Sequence, residues 1–290
     1  TSKVKPGFTL RNFEQLFTEL QHKLIEVPIV ATGEWQSQDI SDKPMLATHE
    51  LANVSIAMGL PQSAHHLGIM TGARLPWAED HFQERVGGEP LNPSPSEAWW
   101  PFAQKKEGDT NSDHKSEGEA FSHTYPERMW PKYANMPDYW DSSGLGDLDD
   151  AEPRQGVRFA YGDLSDVINQ LKNGPLTRQA FLPIWFPEDT GAVHGKRVPC
   201  TLGYHFMIRG DKLQVTYYMR SCDLIRHFQD DVYMAGRLAH HIRDVLNNEV
   251  GTFRYEVSEL VMHIVSLHCF AGDMASMKMR DEKGLSWRNA

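Results

Sequence analysis

Residues 198–223 read VPCTLGYHFMIRGDKLQVTYYMRSCD, and this stretch decides the fold. Two runs rich in β-branched and aromatic residues, YHFMI and LQVTYYM, flank Arg209-Gly210-Asp211-Lys212, a hairpin signal. Antiparallel pairing across that turn returns Arg220-Ser221-Cys222-Asp223 to the neighbourhood of Cys200. By itself, a cysteine at the entrance of a strand is most often a core residue, because a free thiol packs like a small hydrophobe. A guanidinium beside it changes that reading. Arg220 would favour the thiolate and would also bind a phosphate.

Moving outward, LSDVINQLKNGP (164–175) sets Leu164, Val167, Ile168 and Leu171 on one helical face and stops at Asn173-Gly174-Pro175. QAFLPIWF (179–186) reads as a buried strand. Downstream, 232–246 predicts a helix with Met234, Leu238, Ile242 and Val245 inward. Near the N-terminus, 10–26 predicts a helix burying Phe13, Leu16, Phe17, Leu20 and Leu24, and 49–58 predicts a second, stopped by Gly59 and Pro61. Two polar stretches rich in Pro, Gly, Ser and charge, about 73–119 and 136–158, read as surface insertions. Helices mixed with hairpin strands indicate an α+β fold, one domain over residues 1–290.

The 290 residues are 40% hydrophobic, enough for a full core, and carry a net charge of -10. That charge argues against a nucleic-acid partner, whose binding needs many Lys and Arg to neutralise phosphates. The three cysteines lie far apart without CxxC spacing, which suits a reducing cytoplasm and suggests neither disulfides nor a thiolate metal site. His65-His66 and His240-His241 are adjacent pairs, not the i, i+4 arrangement a metal prefers, so no metal is expected. No window approaches the roughly 20 apolar residues of a membrane span, and a soluble, untargeted protein is expected.

The NQLKN helix, the Pro-Cys pair, the hairpin, YYMRSCD and an acidic position eleven residues beyond Arg220 together resemble the catalytic half of the thymidylate synthases. The resemblance is close over 164–231 and weaker at 49–51, 122–130 and 266–270. It implies a thymidylate synthase fold, a large mixed sheet flanked by helices, dimerising through that sheet. By position, Cys200 matches the nucleophile that adds to C6 of a pyrimidine. Arg220 and Ser221 match phosphate ligands, and Arg178 matches an arginine donated across the dimer interface. Asp223 matches the residue holding the pterin of 5,10-methylenetetrahydrofolate, the co-substrate, with Trp99 and Trp100 as its aromatic wall. Glu50 matches the glutamate that manages protons around C4 and C5. Tyr125 matches the active-site tyrosine region, and His268 the reader of the sugar hydroxyl.

Departures from the family pattern narrow the reading. Asp231 stands where an asparagine reads uracil. An ionised aspartate offers only acceptors, which suits the exocyclic amine of cytosine and stabilises a proton on N3. This substitution is similar to the cytidylate hydroxymethylase branch, in which water rather than hydride completes the transfer. Thr201 replaces a histidine, Phe270 a tyrosine and Gln179 a second interface arginine, so the water and phosphate contacts are expected to differ. The resemblance therefore implies a 5-hydroxymethylase acting on dCMP. CMP as substrate, a divergent thymidylate synthase on dUMP and an inactive nucleotide-binding homologue are the alternatives.

Overall fold

The computed structural model describes residues 10–30, 34–35, 38–99, 121, 123–134, 162–190, 198–250 and 254–283. Its centre is a six-stranded sheet made of β1 (Ile29–Val30), β4 (Thr48–Gly59), β5 (Phe181–Pro183), β6 (Thr201–Arg209), β7 (Lys212–Asp223) and β8 (Glu256–Phe270). The strand order is β1-β4-β8-β7-β6-β5, and β2 (Glu34–Trp35) and β3 (Gln38–Asp39) form a separate pair. Neighbours are antiparallel except β7 and β8, which run parallel and are joined through helix α7 (Phe228–Val250). The mixed sheet flanked by helices is the α+β architecture that the hairpin implied.

The β6–β7 hairpin turns at Gly210, whose φ of 66° lies in the left-handed region that glycine enters without steric cost. Alternation then does the rest. Tyr204, Phe206, Ile208, Leu213, Val215, Tyr217 and Met219 point to one face and are buried, with Tyr204 and Tyr217 stacked at 4.4 Å between ring centroids. Against that face lie α7 and α1 (Phe13–Glu26), whose Phe13 stacks on Phe228 at 5.9 Å. The five apolar residues expected on the face of α1 are all buried, and Asn12 caps its first turn by accepting from the amide of Glu14 at 2.9 Å. Helix α5 (Leu164–Asn173) likewise buries Leu164, Val167, Ile168 and Leu171 behind an Asp163 cap. In α7, Met234, Leu238 and Ile242 are buried as expected, while Val245 is only partly so.

Two expectations are corrected. Residues 49–58, read as a helix, are strand β4, paired over eleven positions from Thr48–Phe270 to Gly59–Glu259. A long cross-strand partner overrode the local helical spacing. Residues 77–99, placed in a surface insertion, instead hold α3 (Trp77–Val86) and a short 3-10 helix (Pro95–Trp99). Helix α3 buries Trp77, Ala78, His81, Phe82 and Arg85 and packs on α7. The remainder of that insertion up to 119, and the second one at 136–158, fall outside the described residues. Short helices α2 (Ala64–Thr71), α4 (Tyr125–Met129) and α6 (Pro187–Thr190) precede β5 or follow it, and α8 (Ala271–Glu282) ends the described chain. Among the described residues no helix is long and apolar enough to cross a membrane.

Candidate active site

Register brings the chemistry to one end of the sheet. Cys200 lies one residue before β6, and the amide of Arg220 on β7 donates to its carbonyl at 2.9 Å. The Arg220 guanidinium bends back over this loop, donating from Nε to the Pro199 carbonyl at 2.8 Å and from Nη2 to the Val198 carbonyl at 3.0 Å. Nη2 also lies 3.8 Å from the Cys200 sulfur. The positive charge thus sits beside a partly exposed thiol, as the sequence required, and favours its ionised form. Nη1 donates to nothing among the described residues and is available to an anion.

A second row runs across three strands. Glu50 of β4 pairs with His268 of β8, which pairs with Asp223 of β7. Ser266 Oγ donates to Glu50 at 2.7 Å, and Ser221 Oγ lies 3.4 Å from His268 Nδ1. Asp223 is buried, and its Oδ1 accepts the amides of Ile225 and Arg226 at 2.8 and 2.9 Å, which fixes the turn into α7. Burial raises this carboxyl above the usual carboxylate range. Its other oxygen, Oδ2, is buried without a hydrogen-bond partner. Such an acceptor fits a ring N–H donor, which a pterin presents.

The turn after β7 sets the third group. Asp230 turns away and is buried against Arg74, accepting from its amide at 2.8 Å and from Nη1 at 2.6 Å. Asp231 keeps part of its surface open and takes the Cys222 thiol at 3.6 Å from Oδ2. Burial pushes the Asp231 carboxyl up to about 7, with the nearby Arg85 cation opposing and Asp230 adding to the rise. The group expected as a plain carboxylate is therefore an acid balanced near neutrality, as proton transfer at pH 7 requires.

Tyr125, at the start of α4, closes the cluster. Thr201 Oγ1 donates to its hydroxyl at 3.1 Å and lies 2.8 Å from the hydroxyl of Tyr217. Burial raises the Tyr125 phenol, so it stays protonated, and both Cys200 and Asp231 lie within its electrostatic reach. Thr201 is fully buried, and its hydroxyl is engaged by the two tyrosines.

The structure thus brings Cys200, Arg220, Tyr125 and Asp231 together, with Ser221, His268 and Asp223 in the adjoining row. Glu50 joins that row through Ser266, and no described contact ties it to Cys200 or Asp231. Arg178 is exposed just before β5, its carbonyl accepting from His205 at 2.9 Å. Trp100 and the side chain of Trp99 lie outside the described residues. Sequence reasoning missed Arg85, a buried cation on α3 whose guanidinium stands 3.9 Å over the Tyr125 ring. The signal was present in the spacing of Trp77, Ala78, His81, Phe82 and Arg85, a helical stripe whose last member is charged.

Comparison with known proteins points to one family. The family described as Thymidylate synthase matches residues 105–280. Over 108 residues the chain is 28% identical to "Thymidylate synthase" of Staphylococcus haemolyticus (strain JCSC1435), a stretch covering 37% of this chain and 33% of that protein. Over 118 residues it is 30% identical to "Putative thymidylate synthase" of Methanothermobacter thermautotrophicus, covering 40% of this chain and 49% of that protein. The aligned stretches thus span a third to a half of these relatives.

Proposed function

The chain belongs to the thymidylate synthase family, and from that premise we propose that it transfers a hydroxymethyl group to C5 of dCMP. The observation that carries the reading is Asp231, an acid near neutrality at the position where the family's pattern has the asparagine that reads uracil. Protonated, its O–H donates to cytosine N3 and its carbonyl accepts from the exocyclic amine. As the Cys200 thiolate adds to C6, electron density moves toward N3, and Asp231 releases its proton there. The ring nitrogen of cytosine is a better base for that proton than O4 of uracil, which favours the amino nucleotide.

5,10-Methylenetetrahydrofolate supplies the one-carbon unit, and Asp223, whose Oδ2 accepts no hydrogen bond and lies 3.9 Å from Arg226 Nε, is suited to hold the pterin. In the full reaction, C5 forms a bond to that carbon and loses its proton, and tetrahydrofolate departs. Water then adds to the exocyclic carbon and Cys200 leaves C6, giving 5-hydroxymethyl-dCMP with no change in folate oxidation level. Arg220 and Ser221 hold the phosphate, and His268 reads the sugar.

We further infer a homodimer through the open face of the sheet. That face carries Tyr218 stacked on His263 at 5.3 Å, with Phe181 and Val265 exposed nearby at 41% and 53%. Arg178, exposed beside β5, is suited to complete the partner's phosphate site. The test is a substrate panel of dCMP, CMP and dUMP with the folate, reading product mass and folate oxidation state. Hydroxymethylated dCMP with tetrahydrofolate is expected. Formation of dTMP in step with dihydrofolate, or no product from any nucleotide, overturns the reading.

A further inference from the structure

Where β7, β8 and α8 meet, an arginine with no role in the reaction so far stands beside Asp223. Arg226 lies in the turn between β7 and α7, and its amide donates to Asp223 Oδ1 at 2.9 Å. Its Nε donates at 2.7 Å to Oδ2 of Asp273, in the first turn of α8. The guanidinium rests on the ring of Phe270, the last residue of β8, 4.6 Å from its centroid. From Asp223 Oδ2 the same Nε stays 3.9 Å away, close enough for attraction between opposite charges and too far for a hydrogen bond. We propose that Arg226 is a positioning residue for the folate: held back by Asp273 and Phe270, it faces the Asp223 carboxylate with a positive charge while leaving Oδ2 open to a pterin N–H.

This rests on the reading of Asp223 as the pterin's partner. Backbone contacts fix the spacing of the three charged groups. The Leu224 amide donates to the His268 carbonyl at 2.9 Å, which ties the turn to β8, and the Ala271 amide donates to the Ala47 carbonyl at 2.7 Å, which ties the start of α8 to the segment before β4. The Asp223 side chain is 3% exposed, whereas those of Arg226 and Asp273 are 32% and 25% exposed. A carboxylate so buried needs a cation or donors nearby, yet a direct ion pair would occupy the lone pairs that a ligand must use. Here the two demands are separated. The charge acts from 3.9 Å, and Oδ2 accepts no hydrogen bond. Asp273 maintains that separation, because Nε has a single hydrogen to donate and Asp273 takes it. The Phe270 ring favours the same placement of the cation. Without Asp273, Nε is released to close on Oδ2 and convert the open acceptor into half of an ion pair.

The test is the affinity for tetrahydrofolate, by anaerobic titration calorimetry with saturating dCMP, measured beside the affinity for dCMP alone. Arg226→Gln should weaken tetrahydrofolate binding on the order of tenfold and leave dCMP binding within about twofold. Arg226→Lys keeps the charge and should bind tetrahydrofolate more tightly than Arg226→Gln. Asp273→Asn should weaken tetrahydrofolate binding about threefold by itself and add nothing to Arg226→Gln, because it acts through the guanidinium. An unchanged tetrahydrofolate affinity in the folded Arg226→Gln protein, an equal loss for dCMP, a lysine variant no tighter than the glutamine one, or additive effects of the two substitutions overturns the proposal. Should Arg226→Gln fail to fold, Asp273→Glu is compared with Asp273→Asn. The glutamate keeps the acceptor and should bind tetrahydrofolate more tightly than the asparagine, and equal affinities overturn the proposal. A wild type that binds no tetrahydrofolate with any nucleotide present sinks the folate reading instead, a distinguishable result.

Discussion

Adjacent aspartates at the head of α7 serve different ends because one step of helix sends them to different partners. Asp230 is neutralised by Arg74 and holds α7 to the segment after α2, while Asp231 faces Cys222 and the tyrosine cluster. The raised carboxyl of Asp231 has a cost in stability. Its value of about 7 in the fold lies above the roughly 4 of an unfolded aspartate, so the folded state binds the proton more tightly. The stabilisation is complete below about pH 4 and is lost as pH rises toward 7. Asp231→Asn should therefore be more stable than the wild type at pH 8, on the order of 2 kcal/mol, with a smaller gap at pH 5. Urea unfolding at the two pH values checks this, and equal gaps would show that the carboxyl is not desolvated. At this scale Cys200, Arg220 and Asp231 were legible because spacing along a hairpin converts directly into proximity. Arg85 was not, because the Tyr125 ring it covers lies some forty residues away in sequence and no local pattern names it.

Among the elements, α4 has only five residues and is too short to hold itself, yet it carries Tyr125. Two devices fix it. Thr124 and Glu127 form a capping box, and Arg128 makes a bidentate pair with Asp189 of α6 at 2.8 and 2.9 Å. Both partners are buried, so removing one strands a charge. Asp189→Ala is expected to cost about 3–5 kcal/mol and to lower the rate of the chemical step through misplacement of Tyr125. Thermal unfolding and single-turnover rates measure the two effects, and a change below 1 kcal/mol would contradict the role given to the pair. Elements whose pattern is local, such as α1, α5 and the β6–β7 hairpin, were readable. Strand β4 was not, because its partner β8 lies some two hundred residues downstream, and α3 was masked by the Pro- and Gly-rich sequence around it.

For the whole molecule, the parallel β7–β8 step through α7 brings Asp223, His268 and Glu50 into one row and leaves the opposite face of the sheet open. That open face, with exposed Phe181 and Val265, is where the homodimer is proposed. If Arg178 completes the partner's site, Cys200→Ala and Arg178→Ala proteins are each inactive alone. Mixing them after partial unfolding and refolding should restore about a quarter of wild-type activity, since half the dimers are mixed and half of their sites intact. No recovery in a mixture shown by sedimentation to contain dimers would place Arg178 outside the site. The dimer was legible only by resemblance, because an open sheet face has no sequence signature beyond alternation.

The most direct measurement is a crystal structure with dCMP bound. The Asp231 carboxyl is expected within hydrogen-bond distance of N3 and the exocyclic amine, and the Cys200 sulfur against C6. A base held elsewhere, with Asp231 turned to solvent or the sulfur beyond reach of the ring, would contradict it.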